Sequence, residues 1–158
     1  MNETDEKTRR EFFTSSCQGA SAAAIIAFLQ GCGGGGSPSS PGSSAPPLPT
    51  IDATVANGTI ALTIDAASPL AAVGGAALVQ TSSGRFLVAR TGQDAFVAFT
   101  ATCTHEGCTI TGYASPRFVC PCHGSNFDTS GRPVSGPASR ALQQFSTSFV
   151  GNVVSIAL

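Results

Sequence analysis

The chain has 158 residues, a formal net charge of −1, six cysteines, two histidines and no tryptophan. That length accommodates one modest domain with accessory segments. The near-zero charge gives no footing for nucleic-acid binding, which needs a concentrated basic surface. From Ile51 onward five arginines (85, 90, 117, 132 and 140) stand against five acids (Asp52, Asp65, Asp94, Glu106 and Asp128), with no lysine. Long-range steering of partners by net charge is therefore not expected.

Residues 1–32 read as an export segment. Arg9-Arg10 followed by Glu11-Phe12-Phe13 resembles the twin-arginine export consensus, and an Ala-rich apolar stretch runs from Ala20 to Leu29. Ten such residues suit the apolar region of a signal peptide. A membrane span needs roughly 20, which Phe12 to Gly31 would supply only if stretched as an uncleaved anchor. Leu29-Gln30-Gly31-Cys32 resembles a bacterial lipobox, making Cys32 the candidate for lipidation, although Gln30 departs from the usual small or apolar residue. Residues 33–50 are nearly all Gly, Ser and Pro and lack apolar periodicity, so a flexible linker is expected there.

The pattern from residue 51 to 158 is all-β. Thr54-Val55 and Thr59–Ile64 flank Asn57-Gly58, a strong hairpin signal. Ala76–Gln80 and Phe86–Arg90 flank Ser82-Ser83-Gly84 as a second hairpin, and Ala95–Thr100 is a strand leading to Cys103. Arg117–Val119 leads into Cys120. Gln144–Val150 and Val153–Leu158 close the domain about Gly151-Asn152. Some 108 residues bury one core, not a generous one.

Four of the six cysteines and both histidines fall in two boxes, C-T-H-E-G-C at 103–108 and C-P-C-H-G-S-N-F at 120–127. Cysteine and neutral histidine are metal-binding side chains, so two short clusters joined by a spacer suit two loops closing on one centre. Structural zinc uses the same side chains, usually as C-x-x-C pairs with both members on the metal. In C-P-C-H only one proline separates the two cysteines, a poor match to that pattern. A metal-free disulfide domain would leave the two histidines unexplained.

The two boxes resemble the cluster-binding motifs of the Rieske iron–sulfur family. The resemblance implies stacked antiparallel sheets with two cluster-binding loops at one end. It also implies one 2Fe–2S cluster per chain, held by Cys103, His105, Cys120 and His123, with Cys108 and Cys122 paired in a disulfide. Two ferric ions, two sulfides, two thiolates and two neutral imidazoles sum to zero charge, whereas a four-cysteine site carries −2, so the electron enters more easily here. Around the ligands, Ser125 matches a family serine that hydrogen-bonds a bridging sulfide. Phe127 stands where high-potential members carry a tyrosine hydroxyl, which implies a lower potential. Gly136-Pro137-Ala138 resembles the loop covering the cluster, with Ser139 in place of the family's second proline.

Glu106 departs from the leucine usual in quinol-oxidising members. A carboxylate there would be expensive to desolvate in an apolar quinone site and would lower the potential. The expected function is therefore a membrane-tethered Rieske electron carrier or small redox subunit on the outer, periplasmic face of the cytoplasmic membrane. It would be an electron-transfer component of an oxidoreductase rather than a catalyst alone, with a cytochrome or an oxidase large subunit as partner. The alternative is the quinol-oxidising iron–sulfur subunit of a cytochrome bc complex. Ferredoxins of aromatic-ring dioxygenases fit less well, because they typically lack the Cys108/Cys122 pair and are not exported.

Overall fold

The structure, a computed structural model, describes residues 45–158. The segment carrying Arg9, Arg10 and Cys32 lies outside the described residues. Twelve strands, and no helix among the described residues, follow in order: β1 (Thr50–Asp52), β2 (Val55–Ala56), β3 (Thr59–Thr63), β4 (Ala76–Thr81), β5 (Gly84–Arg90), β6 (Phe96–Thr100), β7 (Gly112–Ala114), β8 (Arg117–Val119), β9 (Asn126–Phe127), β10 (Pro133–Ser135), β11 (Gln144–Val150) and β12 (Val153–Ala157). Eight form one sheet in the order β1-β4-β5-β6-β11-β12-β3-β2, and four form a smaller sheet in the order β10-β9-β8-β7. Every pairing is antiparallel except β1 on β4.

The hairpins form where the turn chemistry demands. Asn57-Gly58 and Gly151-Asn152 all adopt positive φ, the backbone that a two-residue turn needs to match strand twist. At Ser82-Ser83, the Thr81 hydroxyl accepts from the Ser83 N–H at 3.1 Å and donates to the Gly84 carbonyl at 3.0 Å.

The central strands separate two cores. Leu78, Leu87, Ala89 and Phe99 face one side, while Ala77, Val79, Phe86, Val88 and Ala98 face the other. Successive strand residues point to opposite faces, so burial on both faces requires near-continuous apolar runs. Ala-Ala-Leu-Val in β4 and Phe-Leu-Val-Ala in β5 supply them. The second core is closed where the large sheet curls to bring Ile60, Leu62, Val154 and Ile156 inside. The first is closed by the small sheet through Phe118 and Phe127, and it contains Cys103 and Cys120.

The last residues of the segment expected as a linker, 33–50, pack on the domain. Leu48 is buried in the first core, its N–H donates to the Thr111 carbonyl at 2.7 Å, and the Pro46 carbonyl accepts from the Tyr113 N–H at 2.9 Å. The Pro49 carbonyl accepts from Leu78 at 2.9 Å, and β1 continues alongside β4. Prolines within this run cost no backbone donor that the strap needs, and Leu48 anchors it by burial.

Arg90 fastens the far end from the boxes. Its guanidinium donates to the carbonyls of Leu70, Ala71, Gly92 and Gln93. It lies 5.2 Å from the centroid of Phe96 and 5.7 Å from that of Phe149. Arg90→Ala is expected to destabilise the fold by roughly 2–3 kcal/mol, the scale of charge-assisted hydrogen bonds plus cation–π contact. Arg90→Lys should restore less than half, because an ammonium lacks the planar fork. Urea unfolding of the three proteins checks this.

Candidate metal centre

The two boxes fold into matching loops. In the first, the Cys103 N–H donates to the Cys108 carbonyl at 2.8 Å and the Gly107 N–H to the Cys103 carbonyl at 2.9 Å. In the second, the Cys120 N–H donates to the Ser125 carbonyl at 2.8 Å and the Gly124 N–H to the Cys120 carbonyl at 3.1 Å. Each loop starts with a cysteine and turns on a glycine four residues later, with φ of +74° at Gly107 and +70° at Gly124. Glycine takes that backbone without strain. Both loops hang from paired strands, the first after β6 and the second after β8.

Cys103 and Cys120, the first residue of each loop, are buried with free thiols. Burial pushes the Cys120 thiol upward, and the neighbouring Cys103 thiol adds to the shift, against backbone donation from Cys122 and His123. A bound cation reverses that balance, because a coordinating thiol is deprotonated. His105 and His123 lie on the exposed side, with ring centroids 5.0 Å apart and planes at 89°. Cys108 and Cys122 form a disulfide with an S–S distance of 2.12 Å, joining the end of the first loop to the middle of the second.

The donors are thus sorted into a buried sulfur pair and an exposed nitrogen pair. Among the described residues, no three of Cys103, His105, Cys120 and His123 have donor atoms within 4.8 Å of one another. Ligands sharing one zinc ion would stand about 3.3–3.8 Å apart. A single shared zinc does not match this arrangement. A centre with two metal ions, thiolates on one and imidazoles on the other, does.

A third loop covers the second box. Ser125 is fully buried and its hydroxyl oxygen accepts from the Ala138 N–H at 3.1 Å. Gly136 has φ of +85°, and a Cβ there would stand 2.5 Å from the Ser125 Cα. Pro137 is exposed beside it and Ala138 buried. Phe127 is fully buried in the first core with Cys103 and Cys120, opposite Phe118 across the strands. The Thr104 hydroxyl donates to the Arg140 carbonyl at 2.7 Å, tying the first box to the same covering segment. Behind the second box, Asp128 accepts from the Ser130 hydroxyl at 2.6 Å and from the Ser130 and Arg132 N–H groups, both at 2.9 Å. The Ser130 hydroxyl is the main cause holding its carboxyl below the usual range.

Glu106 stands over both rings. Its carboxylate oxygens are 3.9 Å from His105 Nε2 and 3.7 Å from His123 Nδ1. The sequence placed Glu106 beside His105 but gave no sign that it also reaches His123. The paired glycines are legible in the sequence as the fifth residue of each box.

An all-β scaffold with two stapled Cys/His loops defines the class of small iron–sulfur electron-transfer domains. The particular family follows from comparison: the model of the Rieske [2Fe-2S] domain matches residues 63–146, more than half of the chain, and the chain belongs to that family. Its cofactor is a Rieske-type 2Fe–2S cluster. The chain is similar to the cytochrome bc1 complex Rieske iron-sulfur subunit of Corynebacterium glutamicum, 40% identical over 75 residues, covering 42% of this chain and 18% of that one. It is also similar to the cytochrome b6-f complex iron-sulfur subunit of Prochlorococcus marinus (strain NATL1A), 39% identical over 75 residues, covering 44% and 42%. The matches therefore span less than half of either relative. Among solved structures, a chain in the complex of reduced oxygenase and oxidized ferredoxin of carbazole 1,9a-dioxygenase superposes with a TM-score of 0.50 at 28% identity, covering 61% of this chain and 92% of that one.

Gly136→Ala is expected to cost at least about 2 kcal/mol, because strain at positive φ adds to the clash with the Ser125 backbone. Gly107→Ala meets nothing within 4 Å and should cost about 1 kcal/mol, from φ alone. Denaturant midpoints of the two variants give the comparison.

Proposed function

We propose that the chain is a one-electron carrier or small redox subunit, tethered to the outer face of the cytoplasmic membrane by residues 1–32 and the linker. In this reading Cys103 and Cys120 hold one iron, His105 and His123 the other, and the domain takes in the segment around Leu48, which is buried in the first core, as well as residues 51–158. The separation of a buried thiol pair from an exposed imidazole pair carries the proposal. When bound, the cluster accepts and returns a single electron. The chain's residues do the rest. The exposed rings provide the short route to a docked partner, and the buried thiols keep water from the sulfur side.

Ser125 tunes the potential. Its oxygen is already occupied by the Ala138 N–H, which leaves the hydroxyl proton to be donated toward the centre. Such donation stabilises the more negative, reduced state. Phe127 supplies packing but no hydroxyl. Glu106 opposes reduction by placing a negative charge next to both imidazoles. The tether would confine the domain near membrane partners and raise its effective concentration there.

A second reading, quinol oxidation within a cytochrome bc complex, is favoured by the names of the relatives. Glu106 speaks against it, since an apolar quinone pocket would have to desolvate the carboxylate. A cytochrome b that co-purifies with the full-length chain would favour the bc complex over the carrier.

The test is a redox titration of the cluster-loaded chain. It should show one reversible one-electron wave per chain. Ser125→Ala should lower the midpoint by roughly 65–130 mV, about the worth of one hydrogen bond to a charged group. Glu106→Leu should raise it. Potentials unmoved in both variants would contradict the assignment of these residues.

A further inference from the structure

We propose that His105, Glu106 and His123 form a site for one divalent transition-metal ion of the zinc class, used when the iron–sulfur cluster has not claimed the imidazoles. One ring nitrogen from each of His105 and His123 and a Glu106 carboxylate oxygen lie within 4.8 Å of one another. The carboxylate stands 3.9 and 3.7 Å from the two nitrogens. Ligands on a tetrahedral zinc with bonds of about 2.0–2.1 Å lie about 3.3 Å apart. For the two carboxylate contacts, shifts of about half an ångström in side chains at an exposed tip would close the difference.

Two imidazoles and one carboxylate with a fourth position left to water are a common zinc donor set. All three groups are accessible, with side-chain exposures of 28%, 43% and 61% for His105, His123 and Glu106. Among the described residues, no Lys or Arg nitrogen lies within 4.0 Å of the Glu106 carboxylate. Arg140 lines the adjacent groove and is the nearby opposing charge. The rings are held in place by the glycine-turned loops and the Cys108–Cys122 bond. The sulfur group nearby cannot compete as a three-donor site, because Cys108 and Cys122 are spent in the disulfide and only Cys120 of that trio is free.

The consequence is competition. An ion seated on both imidazoles and Glu106 removes two of the four ligands that the reading above assigns to the cluster, and that part of the inference rests on that reading. Glu106 would make the empty chain sensitive to zinc, which would block later cluster insertion.

The experiment uses the full-length chain isolated without cluster, its fold checked by near-ultraviolet circular dichroism against the loaded chain. Zinc chloride titrated into it should bind one ion per chain, at least tenfold more weakly in Glu106→Gln. Cobalt(II) at the same site should show ligand-field bands without thiolate charge transfer. Zinc should slow reconstitution by ferrous iron and sulfide at least fivefold in the wild type, with reversal by a chelator, and not in Glu106→Gln. Absence of stoichiometric binding, a thiolate-to-cobalt band, or equal affinity in Glu106→Gln would each overturn the site. The iron–sulfur spectrum of the zinc-free reconstituted chain reports separately on the cluster ligands, so the two ideas fail independently.

Discussion

The arrangement depends on two short loops that are forced to close in the same way and are then fastened to each other. Each begins with a cysteine whose N–H reaches forward to the carbonyl five residues on, and each turns on a glycine at positive φ. The backbone bonds shape each loop, but nothing in them fixes one loop against the other. Cys108–Cys122 does that, across 14 residues of sequence. On the chain-entropy estimate, a loop of that size is worth about 3 kcal/mol. Its structural consequence is that four donors from two loops stay in register.

The scaffold beneath explains why the donors are sorted by type. Cys103 and Cys120 leave their strands pointing into the first core, where Phe99, Phe118 and Phe127 exclude water. The histidines sit further out on the turns and remain accessible. A buried neutral thiol is comfortable and a buried thiolate is not, so the sulfur side favours the charged form only when a cation is present. The covering loop adds a polar contact in an otherwise apolar setting, through the Ser125 hydroxyl and the Ala138 N–H. Gly136 permits that contact because no larger residue could approach the Ser125 backbone so closely.

The sequence made the boxes and the long hairpins legible, for physical reasons. Box residues are of rare types at fixed spacing. Asn57-Gly58 and Gly151-Asn152 encode turn geometry directly, so their strands were located to within a residue or two. The short strands β1, β7, β9 and β10 are not legible in the sequence. Two or three residues carry no periodicity, and their positions follow from the loops they bound. Residues 45–50 have the composition of a linker, yet Leu48 among them is buried in the first core, a contact that composition does not reveal. Glu106 follows His105 in the sequence, but its contact with His123 depends on how the two loops meet, which no local pattern records.

The central claim is that two sulfurs and two nitrogens, kept apart, bind a pair of irons. Pulsed electron paramagnetic resonance of the dithionite-reduced full-length chain tests it most directly, since it counts nitrogens coupled to the unpaired spin. The account predicts two strongly coupled imidazole nitrogens and an average g-value below that of a four-cysteine cluster. A spectrum without nitrogen coupling, or no signal after reconstitution with iron and sulfide, would contradict it.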